Sequence, residues 1–145
     1  MGVRRVVLRT SLVLDKNSGA LPRLLLQYNL FAGGPMGSGD QWWPWIHIED
    51  EVGAIYHLLV HETAQGAFNL SSPNPVRMKD FGKTLAGVLG RPYWFPIPAF
   101  AMELAFGEMS TVLLTGQRAV PANLEKAGYS FRFNQLQPAL RDVLK

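Results

Sequence analysis

The run Arg5–Thr10 (RVVLRT) most constrains this fold. Val6, Val7 and Leu8 follow one another with no polar alternate, the pattern of a strand buried on both faces, as in a parallel sheet. Such a strand needs neighbours, and parallel neighbours need crossovers of a dozen or more residues, usually helical. A second short run of this type is Ala67–Ser71 (AFNLS). The pattern predicts that Val6–Leu8 and Phe68–Leu70 pair in parallel, with a helix over 50–61 in the crossover between them.

The stretch between them reads as alternating structure. Asp15–Gly19 (DKNSG) is turn chemistry. Leu21, Leu24, Leu25, Tyr28 and Phe31 recur at helical spacing, and Pro22 is tolerated in a first turn. Gly33–Gly39 is a loop. Gln41–Ile48 (QWWPWIHI) is aromatic, and Pro44 confines it to a sheet edge or a short extended segment. Glu49 and Asp50 open the next helix, where the dipole favours acids, and Val52, Ile55, Tyr56 and Leu59 form its expected buried stripe. Beyond Pro75 the chain is mostly helical. Helices are expected at about Arg77–Leu89, Ala99–Phe106, Met109–Leu114 and Pro121–Ala127, with a last amphipathic one marked by Leu136, Leu140, Val143 and Leu144.

Strands alternating with helices give an α/β class. A chain of 145 residues buries roughly 70% of its unfolded surface, enough for one core. With 48% hydrophobic and 17% charged residues it is not a disordered chain. No apolar run approaches the ~18 residues of a membrane span, and the absence of cysteine excludes disulfides and thiolate metal sites. A net charge of +3 does not argue for nucleic acid. With no signal peptide legible, the expected location is cytoplasmic. Only two strands read as buried on both faces, too few for a parallel sheet, so the chain is expected to be the second part of a longer α/β protein.

Several constellations have two readings. The glycines at 34, 37 and 39 suit a structural or substrate-lining loop, or a phosphate site; they do not follow a strand and open a helix, as a dinucleotide fingerprint must. His57 and His61 share one helix face, a spacing that can bind metal, but no third ligand accompanies them, and a solvated face is the better reading. Trp43 and Trp45 should share one face of an extended segment and Trp42 the other; stacking on a nucleotide or sugar competes with core packing. His47 reads as an acid, a base or a hydrogen-bonded core residue. Arg9 sits at the carboxyl end of the first strand, where α/β sheets bind ligands; a salt bridge is its other reading. No nucleophile elbow surrounds Ser71 or Ser72, and no tyrosine has a lysine four residues on.

At this point the residues resemble a family. Val7–Leu14 (VLRTSLVL) followed by Gly19-Ala20-Leu21-Pro22 resembles the LRTGVVL…GGAL segment of extended short-chain dehydrogenase/reductases. Gly33–Trp42 (GGPMGSGDQW) and Trp45–Asp50 (WIHIED) resemble the GGPxGSGxQ…WIHIDD signature of its nucleotide-sugar-epimerase-like branch, which carries an added carboxyl-terminal module of unassigned function. Phe68–Val76 (FNLSSPNPV), Pro96–Phe100, Phe106–Met109, Leu114–Arg118 and Ala127–Tyr129 continue the likeness. Ser11 stands where that family usually has glycine, and Asp15–Ser18 replaces its Gly-rich turn.

The resemblance implies the carboxyl-terminal part of a Rossmann-like doubly wound parallel sheet plus a small, mainly helical module. Residues 1–75 would hold the last strands and part of the substrate pocket, and 76–145 the module. It implies a pocket lined by Arg9, Gln41, Trp43, His47 and Arg118, with no acid, base, hydride-transfer or metal-binding residue assigned here. In that family the dinucleotide fingerprint and the Tyr-x-x-x-Lys pair lie upstream of the first strand. The full protein would then be an NAD(P)-dependent epimerase/dehydratase-like oxidoreductase acting on a small molecule, a nucleotide-sugar among the candidates. This stretch alone is expected to be inactive and to bind neither NAD nor NADP tightly. The competing class is a non-catalytic interaction module that docks on a partner, the amino-terminal half being the foremost. Neither nucleic acid nor a membrane is an expected partner. Self-association is expected through the first strand, with Val6, Val7, Leu8, Leu24, Leu25 and the tryptophans partly bare.

Overall fold

The computed structural model describes residues 2–145. The strand β1 (Val6–Thr10) is followed after one residue by β2 (Leu12–Leu14), then α1 (Leu21–Asn29), β3 (Trp42–Trp43), β4 (Trp45–His47) and α2 (Ile48–Val60). After α2 come β5 (Gly66–Leu70), β6 (Val76–Arg77), α3 (Met78–Leu89), α4 (Ala99–Phe106), α5 (Met109–Thr115), α6 (Ala122–Lys126) and α7 (Leu136–Val143).

β1 and β5 pair in parallel, Val6 opposite Gly66 through Thr10 opposite Leu70, and α2 lies in the crossover, as the apolar runs predict. At Ser11 the chain changes partner. Its backbone N–H and its hydroxyl both donate to Leu70 O, at 3.2 and 2.9 Å. One residue later Leu12 N–H donates to Pro44 O at 3.1 Å, and β2 runs parallel to β4. Pro44 divides the aromatic run into two strands: β4 joins β2, whereas β3 pairs antiparallel with β6. The architecture is therefore mixed α/β, with three two-stranded pairs rather than one continuous ribbon.

Two cores hold these layers. The larger joins Leu14, Leu21, Leu24, Tyr28, Trp43, Trp45, Phe81, Met102 and Leu140, drawing on both halves of the chain. The smaller joins Ile46, Leu58, Phe68, Leu70 and Leu124 between α2, β5 and α6. Trp43 and Trp45 do share the core side, and Trp42 is only half-buried. Leu24 is buried as well, so the expectation of bare tryptophans holds for Trp94 but not for Trp43 or Trp45.

Two burial expectations, a β1 buried on both faces and the buried outer stripe of α2, are overturned, whereas the expectation that Val7 and Leu8 lie partly bare holds. Val7 and Leu8 are 45% and 39% exposed, because β1 has β5 on one edge and no strand on the other among the described residues. The stripe Val52, Tyr56 and Leu59 faces outward; α2 instead buries Asp50, Glu51, Ala54 and Leu58. α2 is apolar on two sides, and periodicity alone favours the side with larger residues. Small Ala54 and hydrogen-bonded Asp50 let the helix sit close to the sheet.

The first turn of α2 also anchors the end of the chain. The fully buried Asp50 carboxylate accepts from Tyr129 Oη at 2.7 Å and from the backbone N–H groups of Arg132 and Phe133, both at 2.9 Å. Burial, then the bond to Asp50, pushes the Tyr129 hydroxyl pKa up, so it remains a donor. His47 caps the same helix: Nδ1 accepts Glu49 N–H at 3.0 Å, which leaves the ring proton on Nε2 to donate to Asp142 Oδ2 at 2.9 Å. Phe133 stacks on that imidazole at 3.9 Å between centroids.

Candidate functional site

Because β1 and β5 are parallel, Thr10 and Leu70 end on the same side of the sheet. Ligands of open α/β folds bind outside such carboxyl ends. A cavity of about 690 Å³ lies there. Arg9, Thr10 and Ser11 of the β1 end and Asn69 of β5 form one side. Leu12, Val13, Trp42, Trp43 and Pro44 form an apolar side, and Thr115, the last residue of α5, with residues 116–119 closes the remaining wall.

That last wall is hung from the sheet. Ser71 Oγ donates to Ala119 O at 3.3 Å and Asn69 Nδ2 donates to Val120 O at 3.2 Å. Gly116 has φ 60°, and a Cβ there would fall 2.3 Å from Trp42 O, so only glycine lets the wall meet β3 this closely. Among the described residues, Arg9 and Arg118 are the ionisable ones that line the cavity, and no acid lines it. Arg118 Cζ lies 5.4 Å from the Trp42 ring centroid, and Arg77 Cζ lies 4.2 Å from the same ring. A cavity with two cations, neutral donors and an aromatic wall suits an anionic ligand that carries a planar or apolar part.

Of the residues implied by resemblance, the structure brings Arg9, Trp43 and Arg118 to this cavity. Gln41 and His47 lie outside it. Gln41 braces the glycine loop, donating from Nε2 to Met36 O at 2.9 Å and accepting from Ser38 Oγ at 3.2 Å. His47 is 1% exposed and committed to the α2 cap, because β4 turns inward after Pro44. Trp43 is itself 3% exposed and packs edge-on against Phe81 at 5.2 Å, so it contributes a rim rather than a platform. The sequence gives Thr10 and Asn69 no role, whereas Trp42 is placed on the face away from Trp43 and Trp45, with stacking on a nucleotide or sugar as one reading of the cluster.

The other candidates sit elsewhere. The glycine loop does not face the cavity: a Cβ on Gly34 would lie 2.0 Å from Phe95 O, so its backbone packs against protein. His57 Nε2 bonds Ala127 O at 2.7 Å, and His61 stacks beside it at 5.5 Å. Among the described residues no three His, Cys, Asp or Glu side chains gather as metal ligands, and no helix is long and apolar enough to cross a membrane.

Beside the cavity, Thr10 Oγ1 donates to Glu51 Oε1 at 2.9 Å, while Glu51 Oε2 is buried with no hydrogen-bond partner among the described residues. Burial pushes the Glu51 carboxyl above its ordinary value of 4.5, with the Thr10 bond opposing. The folded state thus holds this proton more tightly than the unfolded chain. Its contribution to stability is greatest in acid and declines as pH rises from the ordinary carboxylate range through the raised value. Glu51→Gln should therefore raise the urea midpoint at pH 7.5 and lose that advantage near pH 4. Equal midpoint shifts at both pH values would show that ionisation of Glu51 carries no cost.

Three comparisons bear on this arrangement. Residues 97–143 match a family described as a domain of unknown function, DUF1731. Over 143 residues the chain is 40% identical to the chloroplastic epimerase family protein SDR39U1 homolog of Arabidopsis thaliana, covering 99% of this chain and 41% of that protein. The crystal structure of the human epimerase family protein SDR39U1 (isoform 2) with NADPH superposes with a TM-score of 0.90 at 35% identity, covering 97% of this chain and 48% of that one. A nucleoside-diphosphate sugar epimerase from Corynebacterium glutamicum gives 0.69 at 32% identity, over 94% of this chain and 25% of that one. The chain spans about half the length of the curated relatives it matches.

Proposed function

We propose that this chain, which matches the carboxyl-terminal part of epimerase family proteins, is the substrate-facing part of an NAD(P)-dependent epimerase-like protein. The observation that supports this reading best is the cavity at the carboxyl ends of the parallel strands, with Arg9 and Arg118 unpaired by any acid among the described residues. The ligand class is a nucleoside diphosphate bearing a sugar. Arg9, at the end of β1, would contact phosphate oxygens, and the Thr10, Ser11 and Asn69 side chains would serve neutral hydroxyls. The glycine loop around Gly34 is packed against the Phe95 backbone. The cofactor would be held by the rest of the protein, and no proton or hydride step is assigned to a residue here.

Calorimetric titration with uridine diphosphate tests the reading. The wild-type chain should bind, and Arg9→Ala should weaken binding about tenfold or more, the scale of one lost charge-assisted hydrogen bond. Binding unchanged in Arg9→Ala would sink the assignment.

The free edge of β1 supports a second element of the proposal, association through that strand. The edge of β1 that no described strand pairs, with exposed Val7 and Leu8, would form a pairing template. Two copies would bring Arg4, Arg5 and Arg9 of each chain together, so self-association should strengthen as salt screens them. Light scattering at low and high salt should show a mass above 16.1 kDa that Val7→Glu reduces. A monomer under all conditions would remove β1 as an association edge.

A further inference from the structure

The region matching DUF1731 has no assigned role, yet it supplies one wall of the cavity. Residues 115–119 lie inside that region, and their position depends on three contacts with the sheet: Ser71 with Ala119, Asn69 with Val120, and Gly116 against the Trp42 backbone. Arg118 is the cation this wall presents. It makes no ion pair or hydrogen bond with a described residue, and its one specific contact is the face of Trp42.

The two guanidiniums on Trp42 are not equivalent. Arg77 is tied elsewhere, donating from one Nη to Asp40 O. Arg118 is held by the ring alone. A guanidinium over an aromatic ring uses its flat face for the contact and keeps its N–H donors on its edge. With Arg118 Cζ 5.4 Å from the Trp42 centroid and no hydrogen bond to a described residue, the donors an anion needs are uncommitted. A phosphate can therefore take those donors in charge-assisted hydrogen bonds while the ring contact persists.

We propose that Trp42 is a positioning residue and Arg118 the anion-selective contact it positions, so that the DUF1731 region acts as the specificity wall of this cavity. The inference rests on the reading of the cavity as a nucleoside-diphosphate site and deepens it. Arg9 provides affinity from the β1 side; the Trp42–Arg118 pair determines how strongly a charged ligand is preferred over its neutral counterpart.

The test compares uridine diphosphate with uridine as probes, by calorimetry on the full chain. Trp42→Ala and Arg118→Ala should each cut the preference for the diphosphate about tenfold, with uridine affinity little changed. Trp42→Phe, which keeps a ring face, should restore most of the preference; a variant that merely loosened the wall would lower both affinities together. If Arg9→Ala abolishes the preference while both Trp42→Ala and Arg118→Ala leave it within twofold, the cavity reading stands and the specificity role is overturned. If the wild-type chain binds neither probe at millimolar concentration, both readings fall.

Discussion

Asp50→Ala should release the segment that ends the chain. Three donors, Tyr129 Oη and the N–H groups of Arg132 and Phe133, converge on this one buried carboxylate. Hydrogen bonds to a charged group contribute about 1.5–3 kcal/mol each, and removal also leaves the two backbone donors without their acceptor. Against this stands the relief of no longer burying a charge. The expected net loss is about 4 kcal/mol, or roughly 10 °C in the melting temperature of a chain this size. Asp50→Asn should fall between, because an amide accepts through one oxygen only. Urea unfolding followed by fluorescence measures the loss; a change below about 1 kcal/mol for Asp50→Ala would mean these bonds merely replace equivalent bonds to water.

The second large effect is expected at Gly34. Its Cβ position is occupied by backbone: Phe95 O at 2.0 Å, Phe95 C at 2.4 Å and Phe95 N at 2.7 Å. No side-chain rotation relieves such a contact. Gly34→Ala must separate the two segments, straining the bonds that Trp94 and Phe95 N–H donate to Gly33 O at 2.8 and 2.9 Å. Overpacking commonly costs about 1–3 kcal/mol, and a backbone clash belongs at the upper end. At Gly37 the nearest atom to a Cβ is the Leu114 Cδ2 at 3.0 Å, the end of a flexible side chain, so the cost of Gly37→Ala should come from its left-handed φ of 60°, about 1–2 kcal/mol, rather than from a clash. Hydrogen exchange at Trp94 and Phe95 would report the separation directly. Unchanged protection in Gly34→Ala would contradict the close approach.

How much of this was legible in the sequence differs by element. The parallel β1–β5 pair was legible because unbroken apolar runs joined by a helix admit few other pairings. The inward face of α2 was not, because Val52, Tyr56 and Leu59 make as good a stripe as Ala54 and Leu58, and only the sheet decides between them. Nor was the change of partner at Ser11 legible. The apolar run Val6–Leu8 resumes at Leu12–Leu14 after Arg9, Thr10 and Ser11, and nothing local says that Leu12 pairs with a strand different from the partner of Thr10. In the site, Arg9 followed from its place at a strand end. Arg118 came only from resemblance, since its approach to Trp42 depends on contacts across 76 positions of chain, from 42 to 118. Asp50 was readable as a helix-opening acid, but not as the acceptor for a segment some 80 residues away.

That distance has a consequence during synthesis. Asp50 emerges from the ribosome while its donors, 79 to 83 residues later, have yet to be made. At ~5–20 residues per second the wait is roughly 4–16 s. Over that interval the first turn of α2 carries a carboxylate that cannot be buried without its partners, and water must continue to solvate it. The first turn of α2 therefore completes its hydrogen bonds only once residues 129–133 have been made, so a helix laid down early is sealed by a segment some 80 positions later.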